Sequence, residues 1–250
     1  MGRLIRSLSV AAPAYNEAAC LETVASDWLE YLRSRPDLDS FEIVVCNDGS
    51  RDATGAILDA LAARAPEVRP IHHETNQGAA AALTNAIHHT TKDWILLIDS
   101  DGQFPIEICD RMIDEVRERS ADAVIGVRRA KADSLFQRFG SWLSGTLCNW
   151  FHGTHYRDFN CALKLVPGPA LRALNLEAKG LNYSGEITSK LLEEGIAFAE
   201  VEVDHEPRVA GRSAAKSLKS AADRLLFVAY IGFRQLLFRC KVLQRPQLCR

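Results

Sequence analysis

Three side chains within five residues, Asp99, Asp101 and Gln103, define a simple chemistry. Two carboxylates and an amide carbonyl are hard oxygen donors, suited to Mg²⁺ or Mn²⁺ rather than to zinc. Mg²⁺ in particular keeps waters and draws further oxygens from a phosphorylated ligand, so the pattern points to a cation shared with a substrate phosphate. Asp-x-Asp is also common at strand ends and turns, and alone it decides nothing. Two other polar clusters precede it, Tyr15-Asn16-Glu17 and Asn47-Asp48-Gly49-Ser50-Arg51-Asp52. Asp48 has two readings: a carboxylate facing a ligand, or part of a turn in which Ser50 or Asp52 caps the following helix.

The elements that must position these residues alternate. Short apolar runs at Ser7–Ala12, Phe41–Cys46, Val68–His72, Trp94–Ile98 and Ala123–Val127 read as strands. Helical patterns at Glu17–Arg33, Asp52–Arg64, Gly78–Thr90 and Pro105–Arg119 separate them. That spacing predicts βαβ units and a mostly parallel sheet covered by helices on both faces. Strands one, two and four then each end in one of the polar clusters. Ligands bind beyond the carboxyl ends of the strands in such sheets, so the acidic residues collect on the functional rim. Strand alternation would point Asp99 and Asp101 the same way. Further on, the pattern predicts an aromatic-rich helix at Ser134–Phe151, a strand at Cys161–Val166 and a helix at Ser184–Glu194. A strand at Ala197–Val203 and a long basic helix over 213–244 follow.

At 250 residues, with 47% hydrophobic and 25% charged side chains, the chain has the composition of a folded globular protein. That excludes disordered, collagenous and polytopic membrane classes. The formal charge of −2 names no partner, but residues 207–250 hold ten basic side chains against one acid. This tail carries +9 and leaves −11 on the rest. It reads either as a solvated helix face or as a surface for phosphates and anionic lipid. The seven cysteines are scattered without a C-x-x-C pair, against a disulfide framework or zinc ribbon and in keeping with a reducing compartment. The N-terminal apolar stretch is too short for a signal peptide and reads as the first strand. The apolar run Leu225–Phe238 contains Arg234 and falls short of the ~20 residues a membrane span needs. The aromatics of 134–151 fit core packing or an interfacial helix. His152 and His155 lack an acidic partner beside them and read as surface or hydrogen-bonding residues. No G-x-G-x-x-G, Walker A, G-x-S-x-G or H-E-x-x-H pattern occurs, so dinucleotide, P-loop, hydrolase-elbow and zincin readings have no support.

The ordered set is more specific than any member. Pro13-Ala-Tyr-Asn-Glu17, Asn47-Asp-Gly-Ser-Arg-Asp52, Asn76-x-Gly78 and Asp99-Ser-Asp-Gly-Gln103-x-Pro105 resemble glycosyltransferase family 2, the GT-A fold of inverting nucleotide-sugar transferases. Gly126-x-Arg128, Arg157-Asp-Phe-Asn-Cys-Ala162 and His205-x-Pro-Arg-x-x-Gly-x-Ser213 are similar to its polyprenyl-phosphate branch.

The resemblance implies a metal-dependent transfer of sugar from a GDP- or UDP-sugar to a polyprenyl phosphate. Pro13, Tyr15, Glu17, Asp48 and Asp99 would bind the nucleotide, with Asp48 bonded to the base. Asp99, Asp101 and Gln103 would hold Mg²⁺ or Mn²⁺, with Asp101 and Arg208 the catalytic residues. Arg208, Ser213 and Lys216 would meet the donor phosphates; Arg128, Arg138 and Ser141 would face the lipid phosphate. It also implies one domain: a nucleotide-sugar half at 1–127, an acceptor half at 128–212 and a basic tail at 213–250. The tail would sit peripherally on the cytoplasmic face of an anionic membrane, with room for a membrane-protein partner and no nucleic acid. A saccharide or protein acceptor, with a base near Asp158 or Glu186, is the alternative. A silent sugar-nucleotide-binding subunit is a third reading. Three departures stand out: Ala79–Ala82 where relatives often carry a basic residue, Ala162 where they often have Gly, and Lys216 two places beyond its usual position.

Overall fold

A computed structural model describes residues 4–129, 135–178, 182–204 and 218–240. Strands β1 (Ser7–Ala14), β2 (Ser40–Asn47), β3 (Val68–His72), β4 (Trp94–Leu97) and β5 (Ala123–Arg128) alternate with helices α1 (Leu21–Arg33), α2 (Thr54–Arg64), α3 (Ala79–His88) and α4 (Ile108–Arg119). Then follow α5 (Leu135–His152), β6 (Lys164–Pro167), α6 (Gly168–Arg172), α7 (Tyr183–Glu193), β7 (Phe198–Val203) and α8 (Leu218–Arg239).

The seven strands form one sheet in the order β3-β2-β1-β4-β6-β5-β7. Every neighbouring pair is parallel except those that β6 makes with β4 and β5. The α/β class with a mostly parallel sheet is therefore as the alternation predicts. β1, β2 and β4 are buried over most of their lengths, as expected of strands with helices on both faces. Because β6 runs backwards, its first residue, Lys164, lies opposite Leu97 at the carboxyl end of β4 and Ile125 in the middle of β5. The chain steps from β1 outward to β2 and β3, then returns to place β4 on the other side of β1. That reversal opens a crevice beyond β1 and β4.

Several boundaries differ from the periodicity by a few residues, and two of them free a rim loop. α1 starts at Leu21 rather than Glu17, because Asn16 takes a left-handed φ of 57° and the Glu17 carbonyl accepts from the N–H groups of Cys20 and Leu21. β4 stops at Leu97, so Asp99 to Asp101 lie in a turn and not on a strand. The alternation argument for a shared direction of Asp99 and Asp101 therefore fails. α6 has no counterpart in the predicted pattern.

One continuous core fills the space between the sheet and its helices, and a smaller cluster of Cys148, Phe159, Phe227, Val228 and Ile231 docks α8 on α5. Burial of each of the three α8 side chains contributes about 1.5–3 kcal/mol. α5 divides its aromatics between the two expected roles. Phe151 packs toward α8, while Trp142 and Trp150 are 60% and 68% exposed. Among the described residues no helix is long and apolar enough to cross a membrane.

Candidate active site

The tips of β1 and β2 are knitted together by the motif residues themselves. Asn16 N–H donates to Ser50 Oγ at 3.0 Å, Glu17 N–H to Thr54 Oγ1 at 2.9 Å and Ala18 N–H to Asp52 Oδ2 at 3.1 Å. In return Asn16 Oδ1 accepts the Arg51 N–H at 2.9 Å. Asp52 Oδ1 takes the Thr54 N–H at the start of α2 from one residue ahead of the N-cap, Ala53, while Ser50 serves the neighbouring loop. Tyr15 stays exposed on this rim. Pro13 and Glu17 are half-buried beside it.

Asp48 is enclosed by donors from the next loop. It is only 1% exposed. Its Oδ1 lies 2.8 Å from His73 Nδ1 and accepts the Gln77 N–H at 2.8 Å; its Oδ2 accepts from Asn76 Nδ2 at 2.9 Å and from the Gly78 N–H at 2.8 Å. A carboxylate has about four lone-pair positions, and four protein donors occupy them. Asp48 thus acts as a clasp that closes the 73–78 loop ahead of α3. Gly49 makes the clasp possible: it has φ +65°, and a Cβ there would stand 2.5 Å from the Thr75 carbonyl carbon.

Beyond β4, the Asp99–Gln103 turn is stitched to the tip of β1 by Ser100 Oγ, which donates to the Pro13 carbonyl at 2.7 Å. Asp101 is 2% exposed, and its Oδ1 accepts the Gln103 N–H at 3.1 Å. Asp99 is half-buried and accepts from the Tyr183 hydroxyl at 3.3 Å. Burial first, then the neighbouring Asp99, push the Tyr183 phenol well above its ordinary range, so it remains a donor. Among the described residues no three His, Cys, Asp or Glu side chains are grouped to hold a metal. Two carboxylates and an amide instead match a Mg²⁺ or Mn²⁺ ion that completes its shell with substrate oxygens and water. The donor set fits a shared ion and not a closed protein cage.

On the β5–β7 side, Arg128 is committed inward. Its Nε and Nη2 bind Asp158 at 2.7 and 3.1 Å, and the Asp158 side chain is 3% exposed. Two nitrogens of Arg128, the residue expected to face a lipid phosphate, thus lie on a buried carboxylate. Ser141 is half-buried, and its carbonyl accepts from Asn160 Nδ2 at 3.3 Å and Ser144 Oγ at 3.2 Å. Arg138 belongs to α5, but its side chain lies outside the described residues. So do Arg208, Ser213, Lys216 and the whole 205–213 motif. Glu186 is no candidate base: fully buried, it takes the N–H groups of Glu177 and Ala178 and the Lys190 ammonium.

Two residues of the site carried no sequence signal of their own. Tyr183 opens α7 within an ordinary helical pattern, yet reaches Asp99 from 84 positions away. Lys164 is fully buried at the head of β6, bonded to the Cys161 carbonyl and, at 2.6 Å, to Ser184 Oγ. Two cavities, of about 390 and 330 Å³, lie against α8, and neither is lined by Asp48, Asp99 or Asp101.

A mixed α/β sheet with acidic loops gathered at its strand-order reversal defines the class of α/β proteins that take ligands at the carboxyl ends of their strands. Within it, the model of glycosyl transferase family 2 matches residues 9–170. The chain belongs to that family. It is 30% identical over 207 residues to the glycosyltransferase AglD of Haloferax volcanii, covering 80% of this chain and 33% of that protein. It is also 30% identical over 209 residues to the undecaprenyl-phosphate 4-deoxy-4-formamido-L-arabinose transferase of Shewanella sediminis, covering 82% and 61%. The bactoprenol glucosyl transferase of Shigella phage SfX is 33% identical over 149 residues, covering 59% and 46%. The chain thus spans between 33% and 61% of the length of these curated relatives. Among solved structures, glucosyl-3-phosphoglycerate synthase of Mycobacterium tuberculosis with Mn²⁺, UDP and glucosyl-3-phosphoglycerate aligns at a TM-score of 0.67. The identity is 19%, over 96% of this chain and 81% of that one. This likeness speaks to the shared fold.

Proposed function

We propose that the protein transfers a sugar, with inversion, from a GDP- or UDP-sugar to a polyprenyl phosphate. The observation that carries this reading is the position of the Asp99–Gln103 turn at the strand-order reversal, bonded to the β1 tip, in a family 2 chain. Relatives named for bactoprenol and undecaprenyl phosphate support the acceptor. A neighbour crystallised with Mn²⁺ and UDP supports the donor class.

In this reading residues 1–127 bind the donor and 128–212 the acceptor. Tyr15 and Glu17 border the nucleotide. Asp99, Asp101 and Gln103 hold Mg²⁺ or Mn²⁺, which when bound acts as a Lewis acid on the departing diphosphate. Arg208, with Ser213 and Lys216, meets the donor phosphates, and Arg138, with Ser141 and the remaining edge of Arg128, meets the acceptor. A phosphate monoester has a second pKa near 6, so at neutral pH it is already an ionised nucleophile and requires no dedicated base. The side chains then have to hold that oxygen in line with the anomeric carbon; such orientation can lower a barrier by about 7–11 kcal/mol. Trp142, Trp150, Leu226, Phe233 and Leu236 are exposed on α5 and α8. With the basic 213–250 tail they form a surface for peripheral attachment to the cytoplasmic face of an anionic membrane.

The test is transfer of labelled sugar from a panel of UDP- and GDP-sugars to undecaprenyl phosphate, with Mn²⁺ or Mg²⁺. The expected result is lipid-linked sugar of inverted anomeric configuration, released nucleoside diphosphate, and loss of both with EDTA. Asp101→Ala is expected to abolish turnover and leave the far-UV spectrum unchanged. Wild-type turnover by that variant, or turnover indifferent to EDTA, overturns the reading.

A further inference from the structure

Lys164 is a buried cation for which the proposed mechanism has no use. It is 0% exposed, yet among the described residues no carboxylate is bonded to it. Its two partners, the Cys161 carbonyl and Ser184 Oγ, are already bonded to each other at 2.6 Å. Removing the ammonium would strand no acceptor, since each partner keeps the other, so stability alone does not account for the buried charge. Burying a charge is costly, and desolvation lowers the Lys164 ammonium from 10.5 to about 8. The carboxylates of Asp158 and Asp99 offset part of that cost, against the repulsion of Arg128.

What the ammonium touches leads to both sides of the site. Through Ser184 it fixes the first turn of α7, where the adjacent Tyr183 donates to Asp99. Through the Cys161 carbonyl it fixes a turn that closes on itself where Cys161 N–H donates to the Asp158 carbonyl at 3.0 Å, and Asp158 holds Arg128. Thr188 Oγ1 reinforces the link by donating to the Phe159 carbonyl at 3.0 Å. We propose that Lys164 is a positioning residue: a buried ammonium that sets the donor-side carboxylate Asp99 and the acceptor-side pair Arg128–Asp158 in register with each other. This rests on the proposed transfer reaction. A group with this role acts on the alignment of the two substrates more than on the binding of either.

Lys164→Met removes the charge at similar length. Replacing a buried charge by a well-packed apolar side chain is often neutral or stabilising, so the melting temperature is expected to hold or rise. Turnover is expected to fall about 100-fold, the scale of a misplacement of roughly 1 Å. KM for the nucleotide sugar should be little changed, and a larger share of donor should be hydrolysed by water instead of transferred. Ser184→Ala should act in the same direction, and the double variant should be non-additive because both residues belong to one unit. Wild-type turnover by Lys164→Met overturns the proposal. So does a loss of melting temperature in step with activity, which marks a purely structural role. Crystal structures of wild type and Lys164→Met separate this from the reaction itself: if wild type transfers no sugar the reaction reading fails. Even then, displacement of Tyr183 from Asp99 in the variant supports the positioning role, and retention of that bond together with Arg128–Asp158 refutes it.

Discussion

Replacing Asp48 by Asn tests whether this residue is a clasp or a base contact. The two carboxylate oxygens each serve two donors, at 2.8 to 2.9 Å. An asparagine keeps one oxygen and turns an NH₂ group toward the other two donors. Two hydrogen bonds to a charged group are lost, each worth about 1.5–3 kcal/mol. The gross loss is therefore about 3–6 kcal/mol for a site that is almost fully enclosed. Residues 74–77 are exposed and can admit water, which favours the lower end, about 3 kcal/mol. Whole-protein stability is typically about 5–15 kcal/mol, so the change is large. Urea unfolding followed by tryptophan fluorescence, with wild type and variant fitted to a common slope, reads it directly. The midpoint should fall well below that of wild type, and the melting temperature by about 6–12 °C for a chain of this size. If Asp48 were instead an open contact to a base, the variant would unfold as wild type does and only nucleotide affinity would suffer. A stability change below about 1 kcal/mol, the net worth of one ordinary hydrogen bond, would refute the clasp.

Three further outcomes are expected. Gly49→Ala places a side chain at φ +65° and 2.5 Å from backbone. It should destabilise by more than the roughly 1–2 kcal/mol of a left-handed alanine, and a change within error by calorimetry would contradict that geometry. The guanidinium of Arg35, joined by that of Arg117, lowers the Asp37 carboxyl from 3.8 to about 2. A depressed carboxylate contributes stability above its unfolded pKa that is lost as pH falls toward its folded one. Acid titration should therefore show a stability loss between about pH 4 and 2 that Asp37→Asn lacks. Among the described cysteines, burial pushes Cys46, Cys109 and Cys148 up to about 12 and Cys161 to about 11, while Cys240 is exposed. Iodoacetamide at pH 8 should modify Cys240 well before these four by mass spectrometry; equal labelling would mean that the core opens readily.

Element type and order were legible because burial on two faces of a sheet leaves unbroken apolar runs such as Trp94-Ile95-Leu96-Leu97, and one-sided burial leaves a helical stripe such as Leu21, Ala25, Trp28, Leu29 and Leu32. The acidic rim was legible for the same reason, since strand ends follow from strand positions. What local pattern does not carry is which way a loop side chain turns. Asp48 faces inward because donors 25 to 30 positions away converge on it. Arg128 faces Asp158 through a partner 30 positions away. Lys164 has the composition of a surface residue, and only the antiparallel course of β6 places it beneath the rim. Asp101 misled in another way: its strand ended sooner than the apolar run, so a turn with Gly102 at φ 75° decides its direction.

The reciprocal bonds between residues 16–18 and 50–54 tie the two loops into one unit. Residues 50–54 supply the acceptors for three amides of 16–18, and Asn16 accepts the Arg51 N–H in return, so an exchange of either alone leaves orphaned backbone groups. Any loop swap at this rim has to move both segments as one cassette.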